Sequence, residues 1–166
     1  TFARHLKEDY VNDNILYLGT EMGLYITLDG GESWIKFTNN MPSASVHYIA
    51  LHPKKHDLVL ATHGRGIIII DDISPLREIN QEVLQKDVHF FKTNPKVIWE
   101  QSSFGGNSTE TQFVGMNPSR SAQIKYYLKK RHTFGKMNIE IFNSDGESVG
   151  FVDPGKKKGI NVIDWE

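Results

Sequence analysis

Two stretches of the chain occur twice at nearly one spacing. Leu16-Tyr17-Leu18-Gly19-Thr20 returns 42 residues later as Leu58-Val59-Leu60-Ala61-Thr62, and Gly23-Leu24-Tyr25-Ile26 returns 43 residues later as Gly66-Ile67-Ile68-Ile69. The repeated pieces are strand-like, rich in β-branched and aromatic residues and bounded by Gly, Asn, Asp or Pro. Further runs of this kind lie at residues 34–37 and 46–51, so strands over 15–18, 24–26, 34–37, 46–51, 58–61 and 67–70 are predicted. A period near 42 matches one four-stranded antiparallel sheet of a radially repeated architecture. Such a sheet cannot bury both faces alone, so it needs neighbours. About one and three-quarter units fit into residues 1–73, the size of the last two blades of a β-propeller. An isolated pair would leave faces and edges open, which predicts association or poor solubility.

Between the second and third of these runs, and ending on the first residue of the third, lies Thr27-Leu28-Asp29-Gly30-Gly31-Glu32-Ser33-Trp34, which fits [ST]-x-D-x-G-x-[ST]-W. The carboxylate of Asp29 is placed to accept N–H groups of its own turn. Gly31 permits a backbone conformation that side chains resist. Trp34 offers a large apolar surface to cover the hairpin. The pattern therefore predicts a structural turn held by Thr27, Asp29, Gly31, Ser33 and Trp34, not a catalytic device.

After residue 73 the period stops. Ser74 to Leu84 reads as one short helix, with Ser74 as N-cap, Pro75 at its first position and Leu76, Ile79 and Val83 on one face. Val88-His89-Phe90-Phe91 and Val97-Ile98-Trp99 are strand candidates, and residues 101–112 read as a linker that includes the triplet Asn107-Ser108-Thr109. A second β region follows. Ala122, Ile124, Tyr126 and Leu128 alternate with polar or mixed positions, residues 137–141 form another strand, residues 143–146 a turn, 149–152 the return, and 159–165 a last strand. These strands are too few for a seven-stranded sandwich.

Composition excludes several classes. The 166 residues contain no cysteine, so disulfide frameworks, thiolate-bound zinc and thiol catalysis are out. A net charge of −1 gives no footprint for nucleic acid. No apolar run approaches the roughly 18–20 residues of a membrane span. The start, Thr1-Phe2-Ala3-Arg4-His5, has neither the form of a signal peptide nor an initiator Met, and the chain reads as processed or as a piece of something longer. His47, His52 and His56 lack metal-ligand spacing, and no cofactor is expected. The runs 129–132 and 156–158 read as solvated turns.

Residues 9–77 resemble the final part of the sortilin-like, BNR-repeat propellers often labelled glycosyl hydrolases in bacteria. The likeness is carried by Asn14-Ile15-Leu16-Tyr17-Leu18-Gly19-Thr20-Glu21, by the turn at 27–34 (the Asp-box of that family), by Ile49-Ala50-Leu51-His52-Pro53, by residues 57–66, and by Asp71-Asp72-Ile73-Ser74-Pro75-Leu76. Residues 113–166 resemble the Ig-like module that follows such propellers, through Phe113-Val114-Gly115-Met116-Asn117-Pro118 and residues 159–165. Two departures stand out. The cysteine-rich module of eukaryotic sortilins has no counterpart here, and Asp72 stands where a second Asp-box would begin without the Gly and Trp that should follow.

The resemblance implies an all-β chain: terminal blades of an Asp-box propeller over 1–73, a connector helix and linker over 74–112, and a partial Ig-like sandwich over 113–166. It implies a protein of the bacterial cell envelope or exterior whose remaining blades are the partners of these two. In such propellers the turns joining second and third strands face the ligand, while the Asp-box lies at the opposite end. Glu21, His63 and Arg65 are then the ligand-face candidates. His63 can exchange a proton near neutral pH, and Arg65 can hold a carboxylate or phosphate with two hydrogen bonds. A purely structural role, in which His63 and Arg65 bond neighbouring backbone and stiffen the closure, is the other reading. The implied function is glycan or protein binding without a complete active site in these residues. The alternative is a propeller glycosidase whose two carboxylates lie upstream, since no facing pair can be nominated here.

Overall fold

The computed structural model describes residues 2–93, 95 and 121–165. It divides into two compact units, Thr1–Asn80 and Gln81–Glu166, so the boundary falls inside the segment expected to connect the two β regions.

In the first unit β1 (Ala3–Glu8), β2 (Leu16–Thr20), β3 (Gly23–Thr27) and β4 (Ile35–Lys36) pair in chain order as an antiparallel meander. β5 (Ser45–Leu51), β6 (Leu58–His63) and β7 (Ile67–Ile70) form a second meander. Strand β1 is not among the sequence-predicted runs. Its residues Ala3-Arg4-His5-Leu6-Lys7-Glu8 carry one aliphatic side chain larger than alanine, and most of the strand is exposed.

The internal repeat extends to the register. Tyr17 faces Ile26 and Gly19 faces Leu24 in the first sheet; Val59 faces Ile69 and Ala61 faces Ile67 in the second. Leu6 opposite Leu18 has its counterpart in Ile49 opposite Leu60. Both first strands bulge at the same place, between Ala3 and His5 and between Val46 and Tyr48. The loops explain why the spacing alternates between 42 and 43. Asp9 N–H bonds Ile15 O at 2.9 Å across the β1–β2 loop, and His52 N–H bonds Asp57 O at 2.8 Å across a β5–β6 loop one residue shorter. The β6–β7 turn is one residue longer than the β2–β3 turn and restores the difference.

The sheets pack face to face around Tyr17, Leu24 and Ile26 of the first and Val46, Ile49, Leu58 and Leu60 of the second. Side-chain alternation makes this possible, because period-2 apolar positions of each strand fall on one face. The approach is closest at Gly19, where a built Cβ would lie 2.6 Å from Val46 O and 2.9 Å from Val46 Cγ1. Glycine is thus required there by the neighbouring backbone, not by its own torsion angles.

The single helix expected over Ser74 to Leu84 is two. α1 (Ser74–Glu78) ends where Ile79 turns to φ −67°, ψ 119°, and α2 (Gln81–Gln85) restarts in the second unit. Ser74 is not the N-cap: its N–H is bonded at 3.1 Å by Asp72 Oδ1, from a residue at φ 44°. Pro75 does occupy the first turn and is buried. Leu76 packs on the first unit's core, while Val83 is buried on α2 and belongs to the second unit, so the expected apolar face is not one helix face.

In the second unit β9 (Ala122–Leu128) lies between β8 (Val88–Phe90) and β12 (Gly159–Trp165), antiparallel to both. β10 (Ile139–Phe142) and β11 (Ser148–Val152) form a hairpin. Its turn is closed by Asn143 Oδ1, which accepts Asp145 N–H at 3.0 Å and Glu147 N–H at 2.9 Å, and by Gly146 at φ 82°. Tyr126, Leu128 and Ile139 form the core, with Ile124, Ile141, Val152 and Ile163 around them. The first strand of this unit is β8, contributed from before the linker. The expected strand Val97-Ile98-Trp99, the triplet at Asn107 and the segment 113–118 lie outside the described residues. The chain is therefore mostly β, as expected, and no helix among the described residues is long and apolar enough to cross a membrane.

Candidate functional site

An antiparallel meander puts alternate turns at opposite ends of its sheet. The β2–β3 turn with Glu21 and the β6–β7 turn with Arg65 share one end, and the β3–β4 turn with Asp29 lies at the other.

At the first end the two sheets repeat one arrangement with different chemistry. The bulge in β1 turns Arg4 toward the β2–β3 turn, where its Nη2 bonds Glu21 Oε1 at 2.5 Å. The matching bulge in β5 carries His47, and the residue matching Glu21 is His63; their rings stack at 5.6 Å with planes 17° apart. Beside them His5 of β1 meets Tyr48 of β5, ring centroids 4.5 Å apart. Thr20 and Thr62 close the turns: Thr20 Oγ1 donates to Gly23 O at 2.9 Å and Thr62 Oγ1 to Gly66 O at 2.7 Å. Within this turn the side-chain bond to backbone comes from Thr62. Gly64 at φ 79° and Gly66 at φ 66° let the turn carry Arg65 outward, exposed. The three sequence candidates share an end but are spread over both sheets, Glu21 engaged by Arg4 and His63 by His47. Arg4 and His47 were missed; the shared bulge that aims them leaves no mark in composition.

At the opposite end the turn at 27–34 closes on itself. Thr27 Oγ1 donates to Asp29 Oδ1 at 2.6 Å and accepts Gly31 N–H at 3.0 Å; Asp29 Oδ1 accepts Ser33 N–H at 2.9 Å, and Ser33 Oγ donates to Asp29 Oδ2. Gly31 stands at φ 102°, and Trp34 Nε1 donates to its carbonyl at 3.1 Å. The hydrogen bonds from Ser33, hydroxyl then N–H, followed by that from Thr27, hold the Asp29 carboxyl down to about 2. A carboxylate so depressed does not protonate in the range where general acids work. It follows that the turn's contribution to stability is complete above the ordinary carboxylate value near 3.8 and is lost as pH falls through about 2. Carboxyl-resolved NMR titration should show Asp29 ionised at pH 3, and Asp29→Asn should flatten the fall of the urea midpoint between pH 4 and 2.

A third constellation, unseen in the sequence, lies at this same end. Asp9 is buried, and its carboxylate receives Arg77 Nε at 3.0 Å and Nη2 at 3.0 Å, Val11 N–H at 2.8 Å, Asn12 N–H at 3.2 Å and Tyr17 Oη at 3.1 Å. Arg77 Nη1 donates to His56 Nδ1 at 2.9 Å, and the guanidinium lies 4.7 Å from the centre of the Tyr10 ring. Burial alone would raise the Asp9 carboxyl, but Arg77 and the two N–H groups outweigh it and hold it below the usual value. Burial, with the Asp9 charge, pushes the Tyr17 hydroxyl far up. This network is saturated with internal partners and joins the β1–β2 loop, the β5–β6 loop and α1; it is a fastening, not a site. Among the described residues no group of three His, Asp or Glu side chains is placed to hold a metal ion.

Comparison with family models, with curated proteins and with solved structures returns no match.

Proposed function

We propose that the first unit is a pair of adjacent blades from an Asp-box β-propeller at a bacterial cell surface or exterior, and that it binds a ligand through the end that carries Glu21, His63 and Arg65. The second unit is read as a partial Ig-like module. The observation that carries this reading is the repeated bulge-and-turn arrangement at one end of both sheets, neutralised as Arg4–Glu21 in the first and left as exposed His47, His63 and Arg65 in the second. An exposed guanidinium beside imidazoles favours a carboxylate-bearing glycan or an acidic peptide segment.

The test is calorimetric titration with an oligogalacturonate, against a neutral cello-oligosaccharide and a polyglutamate peptide. Arg65→Ala should weaken binding of the acidic probes about 10–100-fold, the loss of one charge-assisted hydrogen bond, and His63→Ala should weaken it less. Unchanged affinity in both variants overturns the site. Turnover of a chromogenic glycoside by the protein would favour the glycosidase alternative.

A further inference from the structure

The fastening around Asp9 contains one group that changes charge near neutral pH. His56 Nδ1 lies 2.9 Å from Arg77 Nη1 and 2.5 Å from Tyr10 Oη. A guanidinium nitrogen has hydrogens to give and no lone pair to offer. The Arg77 contact is therefore a hydrogen bond only while Nδ1 is bare, with the ring uncharged and its proton on Nε2. The Tyr10 hydroxyl has a single hydrogen and donates it to Pro53 O at 3.0 Å.

His56 is also the point where the β5–β6 loop meets the start of α1 through backbone. Its carbonyl accepts Ile73 N–H at 2.8 Å, and its N–H donates to His52 O at 2.9 Å. Its φ is 60°, a region uncommon for any residue but glycine and kept only where the surroundings hold it. Charged and titratable groups come to His56 from every side. The β1–β2 loop brings Tyr10, with Asp9 behind it, and α1 brings Arg77. The Asp9 carboxylate is already taken by Arg77, Tyr17 and two N–H groups. On the histidine's own loop, Asp57 Oδ1 accepts Asp72 N–H at 3.1 Å, and His52 Nδ1 accepts the N–H groups of Lys54 at 3.3 Å and Lys55 at 3.0 Å.

We propose that protonation of His56 exchanges its partners and parts the β5–β6 loop from α1. A proton on Nδ1 turns that nitrogen from acceptor to donor. It then donates to Tyr10 Oη, whose own hydrogen already goes to Pro53 O, so the β1–β2 and β5–β6 loops stay joined. Toward Arg77 the same N–H meets an N–H, and a second positive charge arrives beside the first. Arg77 is held by Asp9 through two nitrogens, so the loop gives way and the Ile73 bond to the His56 carbonyl goes with it. The change belongs to the range in which imidazoles take a proton, about pH 5–8, above the range in which Asp9 titrates. The joint it loosens is the one by which the chain leaves the first unit. This inference is independent of the ligand reading above.

Amide hydrogen exchange of the whole chain, followed by NMR from pH 8 to pH 5 and corrected for intrinsic rates, tests it. Protection of Ile73 N–H should fall with pH, by up to about tenfold per pH unit as opening takes up one proton, while the amides of β6 keep theirs. His56→Asn retains a residue that tolerates positive φ and an oxygen acceptor for Arg77, but does not titrate; its Ile73 protection should not vary with pH. His52→Asn, the other imidazole of the loop, should leave the wild-type dependence in place. A level profile in the wild type, a falling one in His56→Asn, or loss of the dependence in His52→Asn would overturn the proposal. A reading that needs no variant is the ring nitrogen spectrum of the wild type at pH 8. It should show His56 protonated on Nε2, and a proton on Nδ1 would equally overturn the proposal.

Discussion

Arg77→Ala should be the most damaging single substitution in the first unit, lowering its stability by about 3–5 kcal/mol. The Asp9 side chain has no solvent exposure and that of Arg77 only 9%. Removing the guanidinium leaves a buried carboxylate facing the Tyr17 hydroxyl and two N–H groups, with no counter-charge. It also removes one of the two partners of His56 Nδ1 and uncovers the face of Tyr10, so α1 loses its tie to the β1–β2 and β5–β6 loops, which stay joined to each other through Tyr10 Oη. Whole domains have about 5–15 kcal/mol in hand, so the variant should be largely unfolded at modest urea concentrations. The check is equilibrium urea unfolding monitored on the first unit's signal. A loss below about 1 kcal/mol would place the pair among exposed ones. The pH dependence follows from the same geometry. Asp9 is held below its ordinary value, so its stabilisation is complete above pH 4 and fades as pH falls through its folded value. That acid limb should be absent in Asp9→Asn.

Gly19→Ala is the second large effect. Its new methyl would enter 2.6 Å from the carbonyl oxygen of Val46, which belongs to β5 backbone and cannot swing aside. The sheets must separate locally, and overpacking of this kind costs about 1–3 kcal/mol. In a unit of some 80 residues each kcal/mol lowers the melting temperature by about 4–8 °C. The contrast is Ala61, the same repeat position with its Cβ on the uncovered face. Ala61→Gly should cost only the strand entropy of glycine, about 0.5–1 kcal/mol. Equal effects at the two sites would mean that the close approach at Gly19 does not exist in solution.

Much of the first unit was legible in the sequence because its information is periodic. Six of its strands are apolar runs, and the 42-residue echo placed second strand on second strand and third on third. β1 was illegible locally: its alternation is masked by Arg4, Lys7 and Glu8, because only Leu6 points to a face that the packed counterpart needs. Extending the echo back by 43 residues from β5 would have revealed it. The Asp29 turn was readable because all its partners lie within eight residues. The Asp9–Arg77 pair was not, since the two residues stand 68 apart in the chain and nothing local marks either one. The helix expected over Ser74 to Leu84 shows the reverse error. Its 3.6-residue pattern is genuine, but Leu76 and Val83 lie on different helices, and the chain breaks at Ile79 between them. At the end with the β2–β3 and β6–β7 turns, residue types pointed to Glu21, His63 and Arg65, while the bulges that add Arg4 and His47 are properties of pairing.

The unequal lengths of the β2–β3 and β6–β7 turns separate what holds the sheet from what decorates it. Thr20 and Thr62 grip the carbonyls of Gly23 and Gly66 in the same way, although three residues lie between them in one turn and two in the other. Arg65 is thus an insertion that the strands on either side do not register. The turn works as a cassette with fixed ends and interchangeable contents. Exchanging His63-Gly64-Arg65 for Glu21-Met22 would reverse the sign of charge at this end while every strand pair stayed in place. In such a scaffold new specificities can arise by changing turn length, a route closed to positions within a strand, where one added residue turns the following side chains to the wrong face.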